Sequence, residues 1–109
     1  MTVQELKESM GLAEFCLVEP DREIADAYCG DLLSWVMSHA PADGAWLTIM
    51  SNVNVAAVAV LTDVSCVILT EGVSPDEPLL ARAKTQGINL LGSNLSTYEC
   101  AVRLGSLLS

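Results

Sequence analysis

The run Ala45-Trp46-Leu47-Thr48-Ile49-Met50-Ser51-Asn52-Val53-Asn54-Val55-Ala56-Ala57-Val58-Ala59-Val60-Leu61, followed closely by Ser65-Cys66-Val67-Ile68-Leu69-Thr70, decides the fold. Residues 45–50 are apolar except for Thr48, as a strand covered on both faces requires. Residues 51–54 read as a turn, and 65–70 as a second buried strand. Parallel strands cannot be joined by a tight turn, so the chain between them must cross over. That makes residues 55–61 a helix, although their β-branched side chains would suit a strand better. The unit is βαβ.

Outward from this unit the signals are mainly helix caps. Thr2-Val3-Gln4-Glu5 is a capping box that opens a short helix, and Gly11 ends it. Residues 15–19 read as a short strand, Pro20-Asp21-Arg22 as a turn, and 24–28 as a weaker strand. Asp31 is the expected N-cap of a helix with apolar spacing at Leu32, Leu33, Val36, Met37 and Ala40, which Pro41-Ala42-Asp43-Gly44 breaks. Asn52 or Asn54 caps the central helix. Ser74-Pro75-Asp76-Glu77 opens the next, with Pro78 shifting its start to Asp76 or Glu77, and Gly87 closes it. Residues 88–91 form the last strand, and Ser96-Thr97-Tyr98-Glu99 opens a final helix. The reading is one α/β domain over residues 1–109. It is a three-layer α/β/α arrangement with a mostly parallel sheet of four to five strands. The runs 45–50, 65–70 and 88–91 are expected to lie as neighbouring parallel strands. The central helix leaves no polar face and needs cover on two sides, which in so short a chain predicts a homodimer.

Composition narrows the function classes. The chain has 109 residues, half of them hydrophobic, and a net charge of -9 with five basic residues scattered along it. Without a basic patch, nucleic acid and anionic membrane surfaces are excluded as partners. Mean hydropathy is +0.43, yet no segment approaches the roughly 20 apolar residues of a membrane span. The start lacks a signal-peptide pattern, so a cytoplasmic location is expected. Cys16, Cys29, Cys66 and Cys100 are too widely spaced for a zinc site, and the single histidine, His39, reads as structural or surface. Four reduced, mostly buried thiols are expected, with no metal and no cofactor.

The polar residues just after each strand are Gly30 and Asp31; Ser51, Asn52 and Asn54; Thr70, Glu71 and Gly72; and Ser93, Ser96 and Thr97. On parallel strands these converge on the carboxyl edge, where helix N-termini also point, and ligands of open α/β sheets bind there. The ligand-binding candidates are Gly30, Asp31, Asn52, Asn54, Thr70, Glu71, Gly72, Ser96 and Thr97. A small polar or anionic ligand is expected of such a site; the alternative is that each residue only caps its own helix. No phosphate loop, dinucleotide fingerprint or nucleophile elbow is present. Asp31 and Glu71 have no nucleophilic or cationic companion, and Asp31 opposes activation of Cys29. No catalytic residue is assigned.

Tyr28-Cys29-Gly30-Asp31-Leu32-Leu33-Ser34, Ala45-Trp46-Leu47-Thr48-Ile49, Glu71-Gly72-Val73-Ser74-Pro75-Asp76-Glu77, Gly87-Ile88-Asn89-Leu90-Leu91-Gly92-Ser93 and Leu95-Ser96-Thr97-Tyr98-Glu99 together resemble a stand-alone DRTGG domain. Such a domain is similar to the amino-terminal domain of HPr kinase/phosphorylase. Leu32 stands where the family commonly has arginine, and Thr70-Glu71-Gly72 stands for a Thr-Gly-Gly. The resemblance implies a regulatory or dimerising module apart from the kinase chemistry. Two functions are therefore expected in order. The first is a non-catalytic regulatory module that dimerises and binds a small polar metabolite or nucleotide at the strand carboxyl edge. The second is a ligand-free protein-interaction subunit of a hydrogenase or redox-signalling system.

Overall fold

The computed structural model describes residues Met1–Ser109. The elements run α1 (Val3–Met10), β1 (Ala13–Cys16), β2 (Asp26–Cys29), α2 (Leu33–His39), β3 (Gly44–Thr48), α3 (Asn54–Thr62), β4 (Cys66–Leu69), α4 (Glu77–Gln86), β5 (Leu90–Gly92) and α5 (Thr97–Leu108). They form one five-stranded sheet in the order β1-β5-β4-β3-β2. The four strands β2 to β5 are parallel, and β1 runs antiparallel beside β5. The three central runs are thus neighbouring parallel strands, and residues 55–61 are helical, as the crossover demands.

Side-chain alternation divides the core in two. On one face Trp46, Val67, Leu69 and Leu90 pack with Val36 of α2, Val55 and Ala59 of α3, and Leu79 and Ala83 of α4. On the other, Ala45, Leu47, Cys66, Ile68 and Leu91 pack with Val3 and Leu6 of α1 and with Cys100 and Leu104 of α5. Both faces of the sheet are covered, which gives the expected three layers. Every residue of β3 and β4 is buried. No helix is long and apolar enough to cross a membrane.

The caps follow the sequence closely where they are local. Thr2 and Glu5 form both halves of the capping box, and Gly11 and Gly87 close α1 and α4 in the left-handed conformation. Asp76 caps α4 through the Leu79 N–H at 2.8 Å. Elsewhere longer-range partners win. The first strand is Ala13–Cys16 rather than 15–19, because the N–H groups of Val18 and Glu19 donate to Asn89 Oδ1 at 3.0 and 2.9 Å. The second is Asp26–Cys29 rather than 24–28, because Ile24 N–H is taken by the Met1 carbonyl at 2.9 Å. Asp31 does not cap α2. Leu32 holds the cap position without a side-chain hydrogen bond. Asp31 Oδ1 instead accepts from Thr48 Oγ1 at 2.8 Å and from Ile49 N at 2.9 Å, tying the ends of β2 and β3. The cap position of α3 falls on Val53, while Asn52 Oδ1 accepts from Asn54 N at 2.9 Å and shapes the turn before it.

The uniformly apolar α3 finds most of its cover inside its own chain. It lies between α2 and α4. Val55, Ala56, Val58, Ala59 and Thr62 are buried, which leaves Ala57, Val60 and Leu61 as its exposed apolar residues.

Candidate site at the strand carboxyl edge

The loop after β4 leads to α4 on one face, and the loop after β5 leads to α5 on the other. Neighbouring loops that leave in opposite directions open a crevice, the position where open α/β sheets hold ligands. A cavity of about 280 Å³ lies there, lined by Gly11, Ala13, Phe15, Gly72, Val73, Ser74, Gly92, Ser93 and Asn94. Gly92 is required by its neighbour: a Cβ on it would meet the Phe15 ring at 2.5 Å. A smaller cavity of about 170 Å³ at the opposite edge is lined by Arg22, Asp63 and Asn89 among others.

Beside the cavity, candidate residues that follow β4 bond to those that begin α5. Thr70, fully buried, shares a hydrogen bond with Thr97 through their Oγ1 atoms at 2.6 Å. Glu71 Oε2 accepts from Thr97 N at 2.7 Å, and Ser96 Oγ accepts from Glu99 N at 3.1 Å, so two side chains share the N-terminus of α5. Glu71 sits at φ 60 and Gly72 at φ 73. This is left-handed backbone, which glycine adopts freely and glutamate does not. Glu71 is held there because its own N–H donates to the Leu95 carbonyl at 2.8 Å while its carboxylate closes the helix. Glu71→Ala is expected to lower stability by about 1 kcal/mol through the lost cap. Glu71→Gly should recover much of that loss, because φ 60 suits glycine. Urea unfolding of the two variants checks the order; an alanine variant as stable as the glycine variant removes the strain argument.

Of the nine candidate residues, Thr70, Glu71, Gly72, Ser96 and Thr97 come together at the crevice, and Gly72 lines the cavity itself. Gly30 and Asp31 stand at the ends of β2 and β3, where Gly30 O accepts from Trp46 Nε1 at 2.9 Å. Asn52 and Asn54 belong to the turn before α3 and do not line the cavity. Phe15, Ser74 and Asn94 were missed as site residues. Phe15 arrives from β1, an antiparallel strand whose place beside β5 has no local signal.

No residue lining the cavity is charged, and the loops and first helical turns that follow β2 to β5 contain Asp31, Glu71, Asp76, Glu77 and Glu99 but no lysine or arginine. The N-termini of α4 and α5 already carry their own acceptors, Asp76 on the first and Glu71 with Ser96 on the second, whereas α2 and α3 have no side-chain cap. The four cysteines are free thiols, and Cys29 is the exposed one. Partial burial, then Cys100 and Asp31, push its thiol above the ordinary range, which keeps the thiolate scarce. Burial pushes Cys66 up to about 12. His39 is exposed and stacks on Trp35, with ring centroids 4.0 Å apart.

Fold and edge together define a three-layer α/β domain whose parallel strands end in a capped, acidic rim. The family model described as HPr Serine kinase N terminus matches residues 53–108, just over half of the chain. The chain belongs to that family. The match runs from the turn before α3 into α5 and so contains both loops of the crevice. No curated protein matches the chain. The family assignment points to a regulatory-type domain.

Proposed function

We propose that the chain is a non-catalytic regulatory module that works as a homodimer and binds a small polar ligand in the crevice between the ends of β4 and β5. The observation that carries the ligand half of this reading is the cavity of about 280 Å³ where the two loops part. Its lining offers serine hydroxyls, the Asn94 amide and the Phe15 ring, but no cation. An uncharged polar metabolite fits this lining better than a nucleotide. A phosphate would find no basic group there to offset its charge.

A thermal-shift series tests the reading, because a ligand that binds only the native state raises its stability. At about a hundred times its Kd a true ligand adds roughly 2.7 kcal/mol, or on the order of 10 °C in Tm for a domain this size. Uncharged sugars, amides and nucleosides are expected to give the shift, and the matching phosphates to give less. Asn94 is exposed, so Asn94→Ala should leave the Tm of the free protein unchanged and abolish the shift. If no uncharged compound raises the Tm, the ligand half falls. The second reading, a ligand-free interaction subunit, then takes its place. It is favoured by the apolar side chains left exposed on α2 and α3, Trp35 and Leu61 foremost.

A further inference from the structure

Ser74 and Asn94 line the same cavity from the loops after β4 and β5, and both are exposed. Their backbone N–H groups donate to no carbonyl of the chain. The N–H groups around them are taken: Gly72 donates to the Ser93 carbonyl at 2.9 Å, Val73 to that of Thr70 at 3.1 Å, Ser93 to that of Leu69 at 2.8 Å and Leu95 to Ser93 Oγ at 3.1 Å. Each loop thus leaves one backbone donor over, and both lie at the cavity. Asn94 Oδ1 lies 3.3 Å from where a Cβ on Gly72 would stand, so an amide acceptor sits where the two loops meet. Phe15 supplies an apolar wall. Its ring rests directly on Gly92, which has no side chain to hold it off, and it is only partly buried. A flat molecule that lies on this ring turns its edge toward the loops.

We propose, resting on the ligand-binding reading above, that the cavity takes a planar cyclic amide or imide, stacked on Phe15 with its carbonyl oxygens on the N–H groups of Ser74 and Asn94. The lining selects this class in three ways. Neutral donors without a cation suit a neutral acceptor, and a carbonyl oxygen takes two N–H groups through its two lone pairs. The ring N–H of the ligand finds its acceptor in Asn94 Oδ1. The cavity of about 280 Å³ lies just below the roughly 300–1,000 Å³ of pockets for drug-sized ligands, so one ring fits it and a dinucleotide does not. A sugar of similar size is puckered and presents hydroxyls rather than a flat face to Phe15.

Nitrogen–proton correlation NMR on the full chain reads the two donors directly. Titration with uracil at millimolar concentration is expected to move the amide signals of Ser74 and Asn94 downfield, saturably and together. Dihydrouracil keeps both carbonyls but has a puckered ring, and is expected to bind roughly 10-fold more weakly, because stacking on an aromatic side chain is lost. Phe15→Leu keeps an apolar side chain beside Gly92 and should remove the preference for uracil over dihydrouracil. Glucose and inorganic phosphate complete the series. Uracil that leaves both signals in place, while glucose moves them, overturns this ligand class and leaves the ligand-binding reading standing. Equal binding of uracil and dihydrouracil to the wild type overturns the stacking on Phe15, and with it the planar ring. Signals moved by phosphate alone, or by no uncharged sugar, amide or nucleoside, overturn both. Should Phe15→Leu fail to fold, the wild-type comparison of uracil with dihydrouracil decides.

Discussion

Asn89→Asp is expected to destabilise the protein by about 3 kcal/mol or more at neutral pH, although it exchanges a single amide group for an oxygen. Asn89 is 2% exposed and fully engaged. Its Oδ1 accepts from the N–H groups of Val18 and Glu19, and its Nδ2 donates to the carbonyls of Glu19 and Ser65 at 2.9 and 3.0 Å. An aspartate keeps the acceptor and turns the donor into a second oxygen facing two carbonyls. Burial, with the second oxygen set against two carbonyls, raises the folded-state pKa of such a carboxyl above its unfolded value of roughly 3.9. The penalty is therefore absent below that unfolded value and grows as pH rises toward and through the folded pKa. Urea unfolding from pH 3 to 7 should show the variant and the wild type diverging as pH increases. Equal stability at pH 7 would mean that this amide does not hold the segment before β2 to the sheet. Asn89→Leu removes the charge but strands two N–H donors, and is expected to lose about 2 kcal/mol at every pH.

Ala59→Glu is expected to unfold the chain. Ala59 is 3% exposed and packs in the same cluster as Val55 and Leu79. A desolvated carboxylate there costs several kcal/mol against a total stability of about 5–15 kcal/mol. Far-UV circular dichroism should show lost structure rather than a folded monomer. Leu61→Glu, two positions along the same helix at a side chain 66% exposed, should stay folded, and the contrast separates the interior of the protomer from its surface. A folded, helical Ala59→Glu protein would show that α3 is not clamped between its neighbours as described.

The fold was legible wherever chemistry was local. Thr2 with Glu5, Asp76 with Leu79 and Ser96 with Glu99 act within one helical turn, so their spacing alone marks three helix starts. The apolar runs that became β3, β4 and β5 needed only the rule that parallel strands require a crossover. What stayed hidden depends on partners far along the chain. Asn89 reads as one more residue of the strand 88–91 until Val18 and Glu19 meet it some seventy residues away. Asp31 has every local mark of a helix cap, yet Thr48 and Ile49 claim it across the sheet. The apolar α3 suggests a subunit contact from composition alone, and only packing shows that α2 and α4 cover its inner half. The candidate site was half visible for the same reason. Thr70, Glu71, Ser96 and Thr97 follow strands, whereas Phe15 reaches the crevice through a pairing that no local pattern announces.

That pairing also sets an order of assembly. From β2 to β5 each strand lies beside the one made just before it, so the parallel sheet can grow as the chain lengthens. β1 is the exception: Ala13 waits for Gly92 and Glu14 for Leu91. The first strand of the domain to be made is thus the last to gain its ladder, and during synthesis it stays an unpaired edge until almost the whole domain has emerged. Its brevity, with Glu14 exposed at its centre, keeps that open interval from becoming an invitation to other chains.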